Sequence, residues 1–197
     1  MEKQIHALNK GEKIEMFANL VSNEIGFVHL IVSVFALVFG TWVLAARKGT
    51  RTHRRIGYLY AFSMILLIAT ALMIYRLFGR FGVFHVAALV SAITLAGGMI
   101  PAVLRRPKNS WLNLHFSFMY WSVFGLYAAF VAEMAVRLPI RTMFTSAQTF
   151  FTTVIVSTLA TMLVGQIIFF KNKKKWQKLS AVYSDSDKPS IQLNEST

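Results

Sequence analysis

Residues 25–55 read IGFVHLIVSVFALVFGTWVLAARKGTRTHRR. Residues 25–46 contain no acid or base, and then Arg47, Lys48, Arg51, Arg54 and Arg55 follow within nine positions. An apolar run of roughly 20 residues is long enough to cross a hydrocarbon layer about 30 Å thick as a helix. A cluster of cations directly after it is the signal that holds that end of a helix on the cytoplasmic side. One polar side chain, His29, interrupts the run near its start. These three features recur along the chain and decide how it is read.

Further stretches free of Asp, Glu, Lys and Arg occupy 56–75, 81–104, 109–132 and 142–170, and 55% of the 197 residues are hydrophobic. In lipid, every backbone polar group must be satisfied internally, so continuous apolar runs of this length mean helices. The connections are short, so successive helices run antiparallel. The chain is therefore expected to be all-α: a polytopic membrane helical bundle of five transmembrane helices, with a four-helix core and a peripheral fifth, spanning 25–170. No soluble catalytic domain has room beside it.

Charge orients the bundle. The first connection holds the five cations named above, the third holds Arg105, Arg106 and Lys108, and Lys171, Lys173, Lys174, Lys175 and Lys178 follow the last span. The other connections carry only Arg76 and Arg80, then Arg137 and Arg141. The positive-inside rule places the N-terminus outside and the C-terminus in the cytoplasm, as expected of a protein of the bacterial cytoplasmic (inner) membrane. Trp42, Trp111 and Trp176 fall at the cytoplasmic boundary, as an aromatic belt would. The net charge of +13 is absorbed by this alternation and points to a lipid bilayer rather than to nucleic acid.

The ends read differently. Ile14, Phe17, Ala18, Val21 and Ile25 share a helical face, which makes 1–24 an interfacial amphipathic segment on the outer surface. Its glutamates, and the length of the apolar run after it, argue against a cleaved signal peptide. Residues 171–197 form a basic and then disordered cytoplasmic tail. With no cysteine in the chain, disulfides and thiolate metal sites are excluded.

Polar side chains at membrane depth are costly and mark function by default. His29 and His85 open the first and third spans, at one face. His53 and His115 lie at the start of the second and fourth, at the other; Thr50 or Thr52 can serve as the N-cap that puts His53 in a first turn. In an up-down-up-down bundle, alternate helices are diagonal, so each pair can face the axis from opposite sides. Phe27-Val28-His29-Leu30 also echoes Val83-Phe84-His85-Val86, as two related helix pairs would. Small residues follow the histidines: Ser33, Ala36 and Gly40 on the first helix, Ala88, Ala92 and Ala96 on the third. They leave a slot for a flat ligand or let helices pack closely. On the fourth helix His115, Met119, Ser122, Leu126, Ala129 and Glu133 form one stripe about 27 Å long. Glu133 stands four residues before Arg137, the order of a helical ion pair.

The segment Gly49-Thr50-Arg51-Thr52-His53-Arg54-Arg55-Ile56-Gly57 resembles the G-T-x-x-H-R-x-x-G pattern of the bacterial membrane-protein family called domain of unknown function 2306. His29, Phe84-His85, Leu114-His115 with Met119, and Ala128-Ala129-Phe130-Val131-Ala132-Glu133 with Arg137 are similar to that family's other polar positions. The likeness covers roughly 26–140 and implies no established activity. More loosely, the alternate-helix histidines resemble those of transmembrane di-haem cytochromes b of the ascorbate-reducible and ferric-reductase type.

Three readings follow. In the first, the chain binds one or two b-type haems for transmembrane electron transfer, a possible membrane oxidoreductase. His29 with His85, and His53 with His115, would be axial ligands, while Arg54, Arg55 and Arg137 pair with propionates. Electrons would come from a quinone-type carrier or another redox protein, because no G-x-G-x-x-G follows a strand. In the second, His29, His85 and Glu133 hold zinc or iron in an intramembrane enzyme. In the third, the chain is an accessory or transport subunit. Gly97-Gly98 and Pro101 would then break or bend the third helix, and the hydroxyls of the fifth would meet a partner or a further copy.

Overall fold

The computed structural model describes residues 2–74, 80–108, 110–137 and 147–186. Five helices make up the described chain: α1 (Glu2–Ala45), α2 (Arg51–Met73), α3 (Val83–Leu104), α4 (Trp111–Arg137) and α5 (Ala147–Ser186). Each contains a stretch long and apolar enough to cross a membrane: Glu24–Ala45, Arg51–Met73, Val83–Leu104, Trp111–Ala135 and Gln148–Lys174. Among the described residues there is no strand. Only 11–33% of each span is buried within the chain, far too little for helices of this hydropathy in water. Lipid must cover the rest.

The chain divides into two compact units, Met1–Ile93 and Thr94–Thr197, with the boundary inside α3. In the first unit α1 and α2 pack antiparallel. Their contact face is built from small and branched residues: Val32, Ala36 and Val43 on α1, and Ile56, Tyr60, Ala61 and Met64 on α2, are all buried. Gly57 has only Val43 Cγ2 near the place of a Cβ, at 3.8 Å. Between apolar helices in lipid, close packing of this kind replaces the hydrophobic effect as the force for association.

The α1–α2 corner is tightly made. Lys48 Nζ donates to the carbonyls of Val43 and Leu44 at 2.7 and 2.8 Å, covering the acceptors that the end of α1 leaves open. Gly49 takes φ 80°, a left-handed turn that suits a residue without Cβ. Thr50 is then the N-cap of α2, its Oγ1 accepting from the His53 N–H at 3.1 Å. Of the two candidate threonines, Thr50 caps the helix and Thr52 lies within it.

In the second unit α4 and α5 run antiparallel around Tyr120, whose hydroxyl donates to the Gly165 carbonyl at 2.6 Å. The Tyr120 ring lies 4.5 Å from that of Phe124, 5.2 Å from Phe169 and 5.2 Å from Trp176. A Cβ on Gly165 would fall 2.6 Å from the Phe124 ring, so the missing side chain is what permits this approach. The fifth helix is therefore knitted to the fourth. Its hydroxyls turn back on their own backbone: Thr152, Thr153, Ser157 and Thr161 each donate to a carbonyl one turn earlier, at 2.7–2.9 Å. That satisfies them in lipid without a partner chain.

One expectation changes. The break expected in the third helix is absent, since α3 continues through Gly97, Gly98 and Pro101 to Leu104. The segment 1–24 joins the first span in one helix. The basic run after the last span is helical as far as Ser186. Residues 187–197, Arg76 and Arg141 lie outside the described residues.

Candidate functional site

His29 stands on α1, five positions into its apolar span, and is half-buried. Its Nδ1 lies 2.9 Å from Thr70 Oγ1 on α2. The Thr70 hydroxyl donates to the carbonyls of Leu66 and Leu67 at 2.9 and 3.0 Å, which commits its only proton. With that proton on a backbone carbonyl, Thr70 accepts from the imidazole. His29 carries its proton on Nδ1 and its lone pair on Nε2.

His115, in the second turn of α4, reaches the same state by another route. Its Nδ1 lies 2.9 Å from the Gly98 carbonyl, which can only accept. Gly98 and Gly97 form the tightest approach of α4 to the adjoining part of α3. A Cβ on Gly98 would fall 2.7 Å from Met119 Sδ, and one on Gly97 2.8 Å from the Phe118 ring. Pro101 contributes no N–H to the carbonyl one turn before it and crowds that turn. The next carbonyl, that of Gly98, takes the histidine. Here Gly97 and Gly98 serve close packing against Phe118 and Met119.

His85 differs. It is 3% exposed and lies beside the Phe81 ring, 5.0 Å between centroids. Gly82 precedes α3 as its cap, its carbonyl accepting from the N–H groups of His85 and Val86. The Gly82 N–H in turn donates to His85 Nδ1 at 3.1 Å. This is the reciprocal arrangement of a capping box, with imidazole in the place usually held by Glu or Gln. An N–H can only donate, so the neutral ring holds its proton on the buried Nε2.

His53 lies in the first turn of α2, half-buried with its Nδ1 enclosed, so it is not simply solvated among the arginines. Arg54 and Arg55 are exposed. On α4, Met119, Ser122 and Leu126 are buried, while Ala129 and Glu133 are half-buried. The Arg137 side chain, and with it the expected ion pair to Glu133, lies outside the described residues. Among the described residues no three His, Cys, Asp or Glu side chains come together as a metal-ion site, so the zinc or iron reading gains no support from geometry.

A haem iron takes the lone pair of one imidazole nitrogen, and the other nitrogen usually donates to a carbonyl or similar acceptor. His29 and His115 meet that requirement. His85 does not as it stands, because ligation through Nε2 would require the proton to leave and the Gly82 N–H to lose its acceptor.

The profile of the predicted membrane protein family (DUF2306) matches residues 26–171. The chain belongs to this family. The match includes all five spans from Gly26 onward and each of the four histidines just described. No curated protein and no solved structure matches the chain. Sequence reasoning missed Thr70 and the Gly98 carbonyl as histidine partners. Thr70 could have been found by depth, since it lies as near the end of its span as His29 does to the start of the antiparallel one.

Proposed function

We propose that this DUF2306 protein binds b-type haem through histidine and carries electrons within the membrane. The observation that carries the reading is the shared state of His29 and His115. Each donates Nδ1–H to a fixed acceptor and keeps its lone pair on Nε2, near an end of a membrane span. Such a second partner orients the ring and raises the basicity of the ligating nitrogen. Thr70 does this for His29, with its own proton held by two backbone carbonyls. The Gly98 carbonyl does it for His115.

Bound haem would supply one-electron transfer between ferric and ferrous iron, at a potential set by burial and hydrogen bonding. His53 and His85 are the second ligands that this reading would draw on. For His85 that role involves exchanging the cap on Gly82, so it would be the weaker partner. Arg137 would neutralise a propionate, with a quinone-type carrier or a redox protein as electron partner; Arg54 and Arg55 lie on the exposed face of α2 and do not serve this reading.

The test is a dithionite-reduced minus oxidised spectrum of detergent-purified protein made under haem-replete conditions. The reading expects a Soret band that diminishes in His29→Ala and in His115→Ala, with His85→Ala less severe. Protein that is folded, by circular dichroism, and has no Soret band would end it.

A further inference from the structure

We infer that the outward face of α2 is a binding site for one anionic diacyl phospholipid, its phosphate held by Arg51, Arg54 and Arg55. At 100° per residue these three arginines fall on one stripe with Tyr58, Phe62 and Ile65. All six are exposed; Tyr58, Phe62 and Ile65 are 59%, 62% and 57% accessible. The opposite face, carrying Ile56, Tyr60, Met64 and Leu67, is buried. From Arg51 to Ile65 the stripe rises about 21 Å, the depth of one leaflet of a bilayer roughly 40–45 Å thick including headgroups. Cations, then an amphipathic phenol, then apolar side chains follow in the order of phosphate, glycerol and acyl chain.

Among the described side chains of its own unit, the charge on this stripe has no answer. No Asp or Glu occurs from residue 25 to residue 132, and Glu2, Glu12, Glu15 and Glu24 all lie at or before the start of the first span. These glutamates are separated from the arginines by the length of Glu24–Ala45, about 33 Å of helix. Lys48 is occupied with the α1 carbonyls and does not join the cluster. Guanidinium forks pair bidentately with phosphate oxygens, whereas lysines act as point charges. A soluble anion would use only the upper part of the stripe; a phospholipid uses all of it.

The experiment uses the full chain in phosphatidylcholine nanodiscs, with and without phosphatidylglycerol, and native mass spectrometry of the released protein. One phosphatidylglycerol is expected to be retained in preference to phosphatidylcholine. Retention should weaken roughly fivefold for each arginine replaced in R51Q, R54Q and R55Q. The triple Arg→Lys variant keeps the charge that orients the helix and should still lose selectivity. F62A/I65A should weaken retention of the diacyl lipid while leaving affinity for glycerophosphate unchanged. R105Q/R106Q, in the other basic connection, should have no effect. Equal retention in the Arg→Lys and glutamine variants and the native chain would overturn the site. So would inorganic phosphate displacing the lipid at equal concentration.

Discussion

At the scale of single residues, the four membrane histidines are distinguished by which nitrogen holds the proton. The Gly98 carbonyl requires Nδ1–H on His115 and the Gly82 N–H a bare Nδ1 on His85, while Thr70, with its own proton on a backbone carbonyl, accepts Nδ1–H from His29. Nitrogen-15 spectra of histidine-labelled protein should show two rings protonated at Nδ1 and one at Nε2. Three rings of one kind would contradict the assignment. Thr70→Val keeps shape and removes the acceptor. It should cost about 1 kcal/mol of stability and release the His29 tautomer, checked by thermal unfolding in detergent and by the same spectra. Lys48 is the residue whose charge state the fold changes. Burial at the α1 terminus lowers its pKa from 10.5 to about 8. Between these values the folded chain binds fewer protons than the unfolded one, so stability rises with pH. Lys48's contribution is complete above 10.5 and lost as pH falls through 8. The native chain should gain Tm relative to Lys48→Met from pH 8 to 10.

At the scale of the helix, glycines divide into those that permit contacts and those that do not. Gly98→Ala would set a Cβ 3.1 Å from the Met119 backbone nitrogen and 2.7 Å from its sulfur. The α3–α4 approach would open, the His115 bond would lengthen, and stability should fall by about 1–3 kcal/mol. Gly26 has nothing within 4 Å of the same position, so Gly26→Ala should stabilise α1 by about 0.5–1 kcal/mol. Parallel unfolding curves for the two variants decide this, and equal effects would show that the Gly98 contact does not exist in the membrane. Caps follow the same logic. Thr50→Ala, which removes the Oγ1 acceptor of the His53 N–H, should cost about 1 kcal/mol and loosen the turn that carries the arginines.

At the scale of the whole molecule, five spans expose broad apolar surfaces and carry their cations in alternate connections. The absence of cysteine makes the orientation directly measurable. Single cysteines at Thr52 and at Lys108 should react with membrane-impermeant maleimide only after the cells are opened. A cysteine at Arg80 should react in intact cells. The opposite pattern would reverse the topology expected from charge.

The number of spans and their alternating charge were legible in the sequence, because lipid leaves the backbone one solution and each span satisfies it locally. The four histidines were legible for the same reason: a polar ring in a charge-free run stands out without any knowledge of its neighbours. What those rings do was not legible. Whether an imidazole offers a proton or a lone pair depends on a partner far along the chain, as Thr70 is for His29, or on a backbone group with no letter of its own, as Gly98 is for His115. Gly97 and Gly98 read as a place where α3 would break or bend, and only the placement of Phe118 and Met119 against them made them packing positions. Local backbone satisfaction is written residue by residue, whereas hydrogen-bond direction between helices is decided only once they are brought together.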